Sequence, residues 1–514
     1  MTLIGPQVDS PCSLPQNQKT APYTTKRQRC SPLELPEILV MLGRHLPRDI
    51  VVVCLRVCHM WHQALLPWVW SSIKSRDTEN LPQLSALETH APLVRELYIR
   101  NSHCASLWGT VHFAGLTVLS ISFPGSEKTV DLIQQHQSTL LFLSVSCFYS
   151  PELLEAILGC QRLEKLHFFK ACINVSEWIV IYERLLHRLK VLTLSVSPRS
   201  TPNDPESLDD SENAVGRLNC SSTVAMLQNL SLVWESASVG KIQDLTFRGG
   251  DIQAHFEMIR KCPDLVRLSW CCPVDTTTRS PMHLLVQELQ YGTGLDQLES
   301  LGLQQAFSNA YFTILIDRLP KLSALDLSCS SFDRQSWQLL KGSALSKRLK
   351  SLNLMKCPEL SGSTLQDIMC SLVGLVTFKA ELISETDLEN DKRNWVCSGL
   401  KELRICFAPV KKPYEDVIAL RLAQLTNLEV LDLDYSRLSL YLSIDGRENE
   451  FGVLDRLRTL RSMKSFRVLL SSVAWNNIEF EWVLEHWPKL RNLYVPVCGG
   501  NLGILAGQVD HHYY

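Results

Sequence analysis

One short pattern, L-x-x-L-x-L with occasional Ile, Val, Met or aromatic substitutes, recurs sixteen times between Leu93 and Leu490, at a mean spacing of about 26 residues. It stands as LVRELYI at Leu93, LEKLHF at Leu163, LSALDL at Leu322, LKELRI at Leu400 and LEVLDL at Leu428. A weak MKSFRV at Met463 precedes a clear LRNLYV at Leu490. Alternation puts two apolar residues of each copy on one face of a strand. Between the copies runs a 3.6-residue apolar period. SPELLEAILGC places Leu153, Leu154, Ile157 and Leu158 on one stripe behind a Ser-Pro start. STLQDIMCSL, EDVIALRLAQL and FEWVLEHW read the same way. Strand, loop and helix at a fixed period make a unit that buries its apolar face only against its neighbours. A doubly wound α/β enzyme also alternates strand and helix, but no Gly-rich phosphate loop follows any of these strands.

The array resembles leucine-rich repeats and covers about four-fifths of the chain. Several copies carry a cysteine just past the strand, at Cys147, Cys329, Cys357 and Cys406, where that family often has Cys or Asn. The resemblance implies an α/β fold: an irregular leucine-rich repeat solenoid, a horseshoe with parallel strands on the concave face and helices on the convex face. The period breaks in three places. SPRSTPNDPESLDDSEN, after the copy at Leu189, is rich in Pro, Ser and Asp and is expected to be a disordered acidic insertion over about 197–222. The copies at Leu227 and Ile242 are only 15 residues apart, so either one of them is not a strand or the pair lacks a helix. A third irregularity follows Leu428 and contains DGRENE.

The first twenty residues lack the charged start and apolar core of a signal peptide. The aliphatic runs are far below the roughly 18 residues of a membrane helix. The chain is therefore expected to be intracellular, cytoplasmic or nuclear, with its 18 cysteines mostly reduced and buried as small hydrophobes. The net charge of -2 offers no strong pull on nucleic acid or an anionic membrane, and neither is expected as a partner.

Ahead of the repeats stands SPLELPEILVMLGRHLPRDIVVVCLRVCHMWHQALLPWVW. Leu35-Pro36-Glu37 reads as a helix start, and Ile38, Leu42 and Leu46 recur every four residues along one stripe. Pro47 halts that helix and Asp49 helps begin the next. A further short helix carries Trp61, Leu65 and Leu66 before Pro67. Within it, CLRVCHMWH crowds Cys54, Cys58, His59 and His62 together. On one straight helix Cys54, Cys58 and His62 would share a face, but over about 12 Å, too far apart to converge on one zinc ion. Cys58 and His59 are adjacent in a helical segment and point apart, which argues against a nucleophile and its base. Packing is the reading that remains.

The segment closely resembles an F-box. That family's pattern is Leu-Pro-x-Glu-Ile-Leu, a spaced Leu, Pro-x-Asp-Leu and Val-Cys-x-x-Trp. Here stand Leu35-Pro36-Glu37-Ile38-Leu39, Leu42, Leu46-Pro47-Arg48-Asp49-Ile50 and Val57-Cys58-His59-Met60-Trp61. One residue is missing between Pro36 and Glu37, and Ile50 replaces the usual Leu. The resemblance implies a three-helix unit that docks on the Skp-type adaptor of a cullin-RING (SCF-type) ubiquitin ligase through Leu35, Pro36, Ile38, Leu42 and Leu46, with Val57, Cys58 and Trp61 packing the unit's core or joining the same adaptor-binding interface. Alternatively these residues form a helical cap on the first repeat.

Together the two resemblances imply an F-box protein with leucine-rich repeats, a substrate-recognition subunit. It would act by tethering a protein substrate, without catalytic residues, cofactor or metal. A leucine-rich repeat scaffold working independently of any ligase is the alternative. The expected organisation is a disordered segment 1–30, the F-box 31–72, a linker 73–92, the solenoid 93–497 and a tail 498–514. In each repeat the third, fifth and seventh positions face the concave side. Early ones are Glu96, Tyr98 and Arg100, and middle ones Arg267, Ser269 and Asp326. The C-terminal half is the expected substrate-binding face, with Arg404, Asp432, Asp434, Asn492 and Tyr494.

Overall fold

The computed structural model describes residues 33, 35–75, 81–123, 127–146, 150–169, 184–185, 187–195, 241–248, 255, 258–271, 283, 285–287, 289, 295–304, 309–384, 387, 393–407, 412–433, 453–468 and 477–494. The chain divides into two units, Met1–Val69 and Trp70–Tyr514.

In the second unit the described residues form one parallel sheet of sixteen strands, from Ser72–Lys74 to Asn492–Tyr494, laid down in strict chain order. Each repeat adds one strand in register with the last. The buried ladder runs from Ile73 opposite Leu97, through Leu325 opposite Leu352, to Phe466 opposite Leu493. From Leu97 on these are the second apolar positions of the sequence pattern, and from Leu97 to Phe466 the ladder is almost completely removed from water. Burying one such side chain is worth about 2 kcal/mol, so the repeated leucine alone supplies a large part of the drive to stack.

The helices between strands begin where short polar residues can receive the free N–H groups. Asn101, Ser150, Asp333 and Ser361 each accept a hydrogen bond from the backbone N–H three residues on. Helix Pro151–Gly159 buries Leu153, Leu154, Ile157 and Leu158, the stripe read from its sequence. Helices Gly362–Met369, Lys412–Ala423 and Asn477–His486 fall on the other three segments with that period. The second unit is an α/β repeat array built on this register.

Two sequence expectations change, and a third falls on residues that are not among those described. The stretch 73–92, read as a linker, contains the rest of strand Ser72–Lys74, paired to Glu96–Tyr98, and helix Leu84–His90. The array thus begins inside what was assigned to the end of the F-box, because this first strand offers one buried aliphatic, Ile73, and no leading leucines. The copy at Leu227 and the acidic insertion lie outside the described residues. The strands flanking them pair directly, Val191 with Asp244 through Ser195 with Arg248. The cysteines past the strands do not share one role. Cys357 is buried and its thiol donates to Leu327 O at 3.2 Å. Cys406 is buried inside strand Glu402–Phe407. Cys329 is exposed in a left-handed turn at φ 57°, a geometry that Lys356 repeats one strand later. Cys147 lies outside the described residues.

In the first unit three helices follow one another: α1 (Pro36–His45), α2 (Arg48–Cys54) and α3 (His59–Trp70). Pro36 stands in the first turn of α1, where its missing N–H is harmless, with Glu37 at that end and Arg44 and His45 at the other, matching the helix dipole. Asp49 lies in the first turn of α2. Gly43 allows close approach of α1 and α3: a Cβ there would stand 2.3 Å from Trp68 Cδ1 and 2.8 Å from Leu65 Cδ2. This contact also explains why α3 runs through Pro67 to Trp70 instead of stopping before it. Packing of Leu65 and Trp68 outweighs the one hydrogen bond that proline removes.

Candidate interaction surfaces

The first unit is short of interior. Among its described residues the apolar side chains Leu39, Val51, Ala64 and Leu65 are buried, while Leu33, Leu35, Val40, Met41, Val52, Val53 and Val57 are exposed. Val53 is 64% and Val57 61% exposed, as open as charged side chains usually are. Of the eight residues assigned to adaptor docking, Leu35, Pro36, Val57 and Cys58 are exposed, and Ile38, Leu42, Leu46 and Trp61 are half-buried. Cys58 therefore does not fill space between helices, and Val57 does not pack a core. Val40, Met41, Val52 and Val53 join the exposed set. The signal for the two valines was present in Ile50–Val57, a run too apolar for a seven-residue helix to hide.

Cys54 ends α2, while His62 lies in α3 and Cys58 in the turn between them. The three do not share a helix face. Among the described residues no group of three or more His, Cys, Asp or Glu gathers as a metal-ligand set.

On the second unit, the fifth position of each repeat forms a single ladder across all sixteen strands. At its start the Lys74 ammonium lies 5.4 Å from the Tyr98 ring centre, and the Tyr98 hydroxyl donates to Glu96 at 3.3 Å. Burial, with help from Glu96, raises the Tyr98 pKa above its usual value. The middle of the ladder is small and uncharged: Thr193, Thr246, Ser269 and Gly302 stand side by side. Asp326 accepts from Gln304 at 3.1 Å and from the Ser328 N–H at 3.0 Å, so it ties off a strand end.

The C-terminal part is charged and pairs internally. Lys379 meets Glu402 at 2.9 Å, Glu402 meets Arg404 at 3.2 Å, and Arg404 meets the buried Asp432 at 3.7 Å. The Arg467 guanidinium lies 5.8 Å from the Tyr494 ring centre. Register thus brings Arg404, Asp432 and Tyr494 onto one ladder, with Arg467 between the last two. Asn492 lies one face position away, opposite Ser465. Asp434 is outside the described residues. Lys379 and Arg467 escaped the sequence reading, since neither stands out until the strands are aligned.

On the helix side, Asp367 is a hub. Its carboxylate accepts from Trp337 Nε1 at 2.6 Å, Lys341 Nζ at 2.8 Å and Arg393 Nη1 at 2.9 Å. Burial alone would raise its pKa, but those three donors outweigh it and hold the carboxyl at about 2.

The thiols divide by environment. Burial pushes Cys160, Cys262 and Cys397 up to about 12, where almost no reactive thiolate exists at neutral pH. Maleimide at pH 7 is expected to modify the exposed Cys58 and Cys329 in the native protein while sparing these three, as read by peptide mass mapping. Labelling of Cys262 at the rate of Cys58 would contradict the packing described.

No family model matches the chain, and no curated protein matches its sequence. Solved structures do. An internalin from Listeria monocytogenes aligns at 14% identity with a TM-score of 0.33, over 84% of this chain and 95% of that one. TLR13, in its complex with ssRNA13, aligns at 14% identity with a TM-score of 0.31, over 84% of this chain and 62% of the other. Likenesses this remote do not bear on function, and the repeat assignment rests on the sheet itself. Among the described residues no helix is long and apolar enough to cross a membrane.

Proposed function

We propose that this chain is a substrate-recognition subunit of an SCF-type cullin-RING ubiquitin ligase. The first unit is the F-box that docks a Skp-type adaptor, and the repeats hold the protein to be ubiquitinated. The chain performs no chemistry; it raises the local concentration of one protein beside another. The observation that carries this reading is the inverted apolar balance of the first unit. Three short helices expose more large aliphatic side chains than they bury, in a segment whose Leu-Pro-Glu-Ile-Leu and Val-Cys-x-x-Trp anchors follow the F-box order. An excess of exposed aliphatics of this kind is characteristic of an interface awaiting its partner.

The test is capture of purified Skp-type adaptor by the full chain. Wild type is expected to bind. Leu35→Ala with Pro36→Ala is expected to bind at least ~30-fold more weakly, a loss of about 2 kcal/mol from removing central aliphatic anchors. Because Pro36 also starts α1, a second variant, Val53→Asp with Val57→Asp, changes only exposed positions and should lose binding with its helical circular dichroism unchanged. No capture by wild type would leave a leucine-rich repeat scaffold independent of the ligase.

A further inference from the structure

We infer that the edge of the sheet where the chain runs into its strands, over the last seven repeats, is a docking edge for an acidic protein segment. Each strand is preceded by a turn residue that continues the backbone ladder by one step. In the C-terminal repeats these residues bond directly in series: Val376 N–H to Lys350 O at 2.7 Å, Lys401 to Val376 at 2.8 Å, Glu429 to Lys401 at 2.8 Å, Lys464 to Glu429 at 2.7 Å and Arg491 to Lys464 at 2.8 Å. Four of the six are basic. Neighbouring turns add Lys321, Arg461 and Lys489, and the short helix Leu345–Arg348 adds Lys347, all exposed.

Charge accounting on this edge is lopsided. Glu429 is its one acid on the ladder from Lys350 to Arg491, and it is shared between Lys401 at 3.4 Å and Lys464. Lys321 finds a neutral partner, Gln297. Lys347, Lys350, Arg461, Lys489 and Arg491 have no acidic partner among the described residues. The open strand face beside them is different: there Lys379, Glu402, Arg404 and Asp432 neutralise one another. The unbalanced positive charge is therefore concentrated on the edge.

The occupant follows from the geometry. Strands repeat at about 4.8 Å, so Lys350 to Arg491 spans roughly 24 Å, the length of about seven extended residues. A polyphosphate backbone calls for a longer unbroken basic track and stacking platforms. This edge is interrupted by Val376 and Glu429, and the chain as a whole carries -2. A short run of carboxylates matches both its length and its spacing. The inference stands apart from the ligase reading, since it does not involve the first unit, and either can fail alone.

The experiment is fluorescence anisotropy of a labelled octaglutamate peptide titrated with the full chain. Wild type is expected to bind, about tenfold more weakly when salt rises from about 50 to about 300 mM, as exposed charges are screened. The triple variant Lys350→Glu, Arg461→Glu, Arg491→Glu should lose at least ~tenfold in affinity. Lys128→Glu, Lys165→Glu, Arg318→Glu makes the same change in net charge elsewhere and should bind as wild type does. Failure of wild type to bind would overturn the inference, as would equal losses in both triple variants or tighter binding of an oligothymidylate of matching charge.

Discussion

Lowering the pH from 7 to 5 is expected to destabilise the solenoid by about 4 kcal/mol through two histidines alone. His255 is buried against Phe247, ring centres 4.1 Å apart and nearly parallel, with Trp270 6.1 Å away. Burial pushes its pKa down to about 3. His136 is buried beside Phe113 and stacks on His112 at 5.5 Å. Burial first, and the neighbouring His112 second, push it down to about 4. The unfolded chain titrates both near 6.5. Below that pH the unfolded state gains protons that the folded state refuses. Stability is therefore whole above about pH 7, declines as pH falls through 6.5, and stops declining only when the folded imidazoles protonate near 4 and 3. At pH 5 each site has lost about 2 kcal/mol, at 1.36 kcal/mol per pH unit. Urea midpoints of wild type, His136→Phe and His255→Phe at the two pH values measure it. Each variant should lose about half of the pH dependence. An undiminished slope in both would show that the loss originates elsewhere. Below pH 4 the Asp367 carboxylate adds a loss in the same direction. Its depressed pKa means its contribution is present above the unfolded carboxyl value and disappears as pH falls through about 2.

Trp337→Ala is expected to cost about 4 kcal/mol, the upper range for a buried aromatic. The indole is fully buried. It also donates to Asp367 at 2.6 Å and lies 5.8 Å from the Lys341 ammonium. Truncation leaves a cavity between helices Arg334–Gly342 and Gly362–Met369 and withdraws one donor from a carboxylate that three donors hold ionised. Trp337→Phe separates the two effects, keeping most of the apolar volume and losing about 2 kcal/mol with the hydrogen bond to a charged group. Because repeats contact mainly their neighbours, the loss should be local. Amide exchange is expected to quicken in those two helices while strands near Leu97 stay protected. Uniform quickening along the whole array would mean that the repeats unfold as one unit.

The strands were legible because their signal is local. LEKLHF, LSALDL and LKELRI each carry the alternation that a half-buried strand requires, and no distant residue is needed to read it. Where alternation was thin the reading failed, as at Ser72–Lys74, whose only buried aliphatic is Ile73. Pro67 misled for the opposite reason: a local helix stop lost to a contact with Gly43, twenty-four residues earlier. The docking residues of the first unit were half legible. Leu35 and Pro36 carried a motif, but the exposure of Met41 and Val53 depends on how three helices cross.

The sequence by itself determined the repeating unit, its α/β character and the leucines that bury between units, because period and alternation are properties of consecutive residues. Only the tertiary structure decided which charges meet. Arg404 and Asp432 are twenty-eight residues apart in the chain and one strand apart in the sheet. Lys350, Lys401, Lys464 and Arg491 are scattered singly through the sequence. Stacking at about 4.8 Å per strand gathers them onto one edge, and electrostatic energy depends on that distance and not on sequence separation.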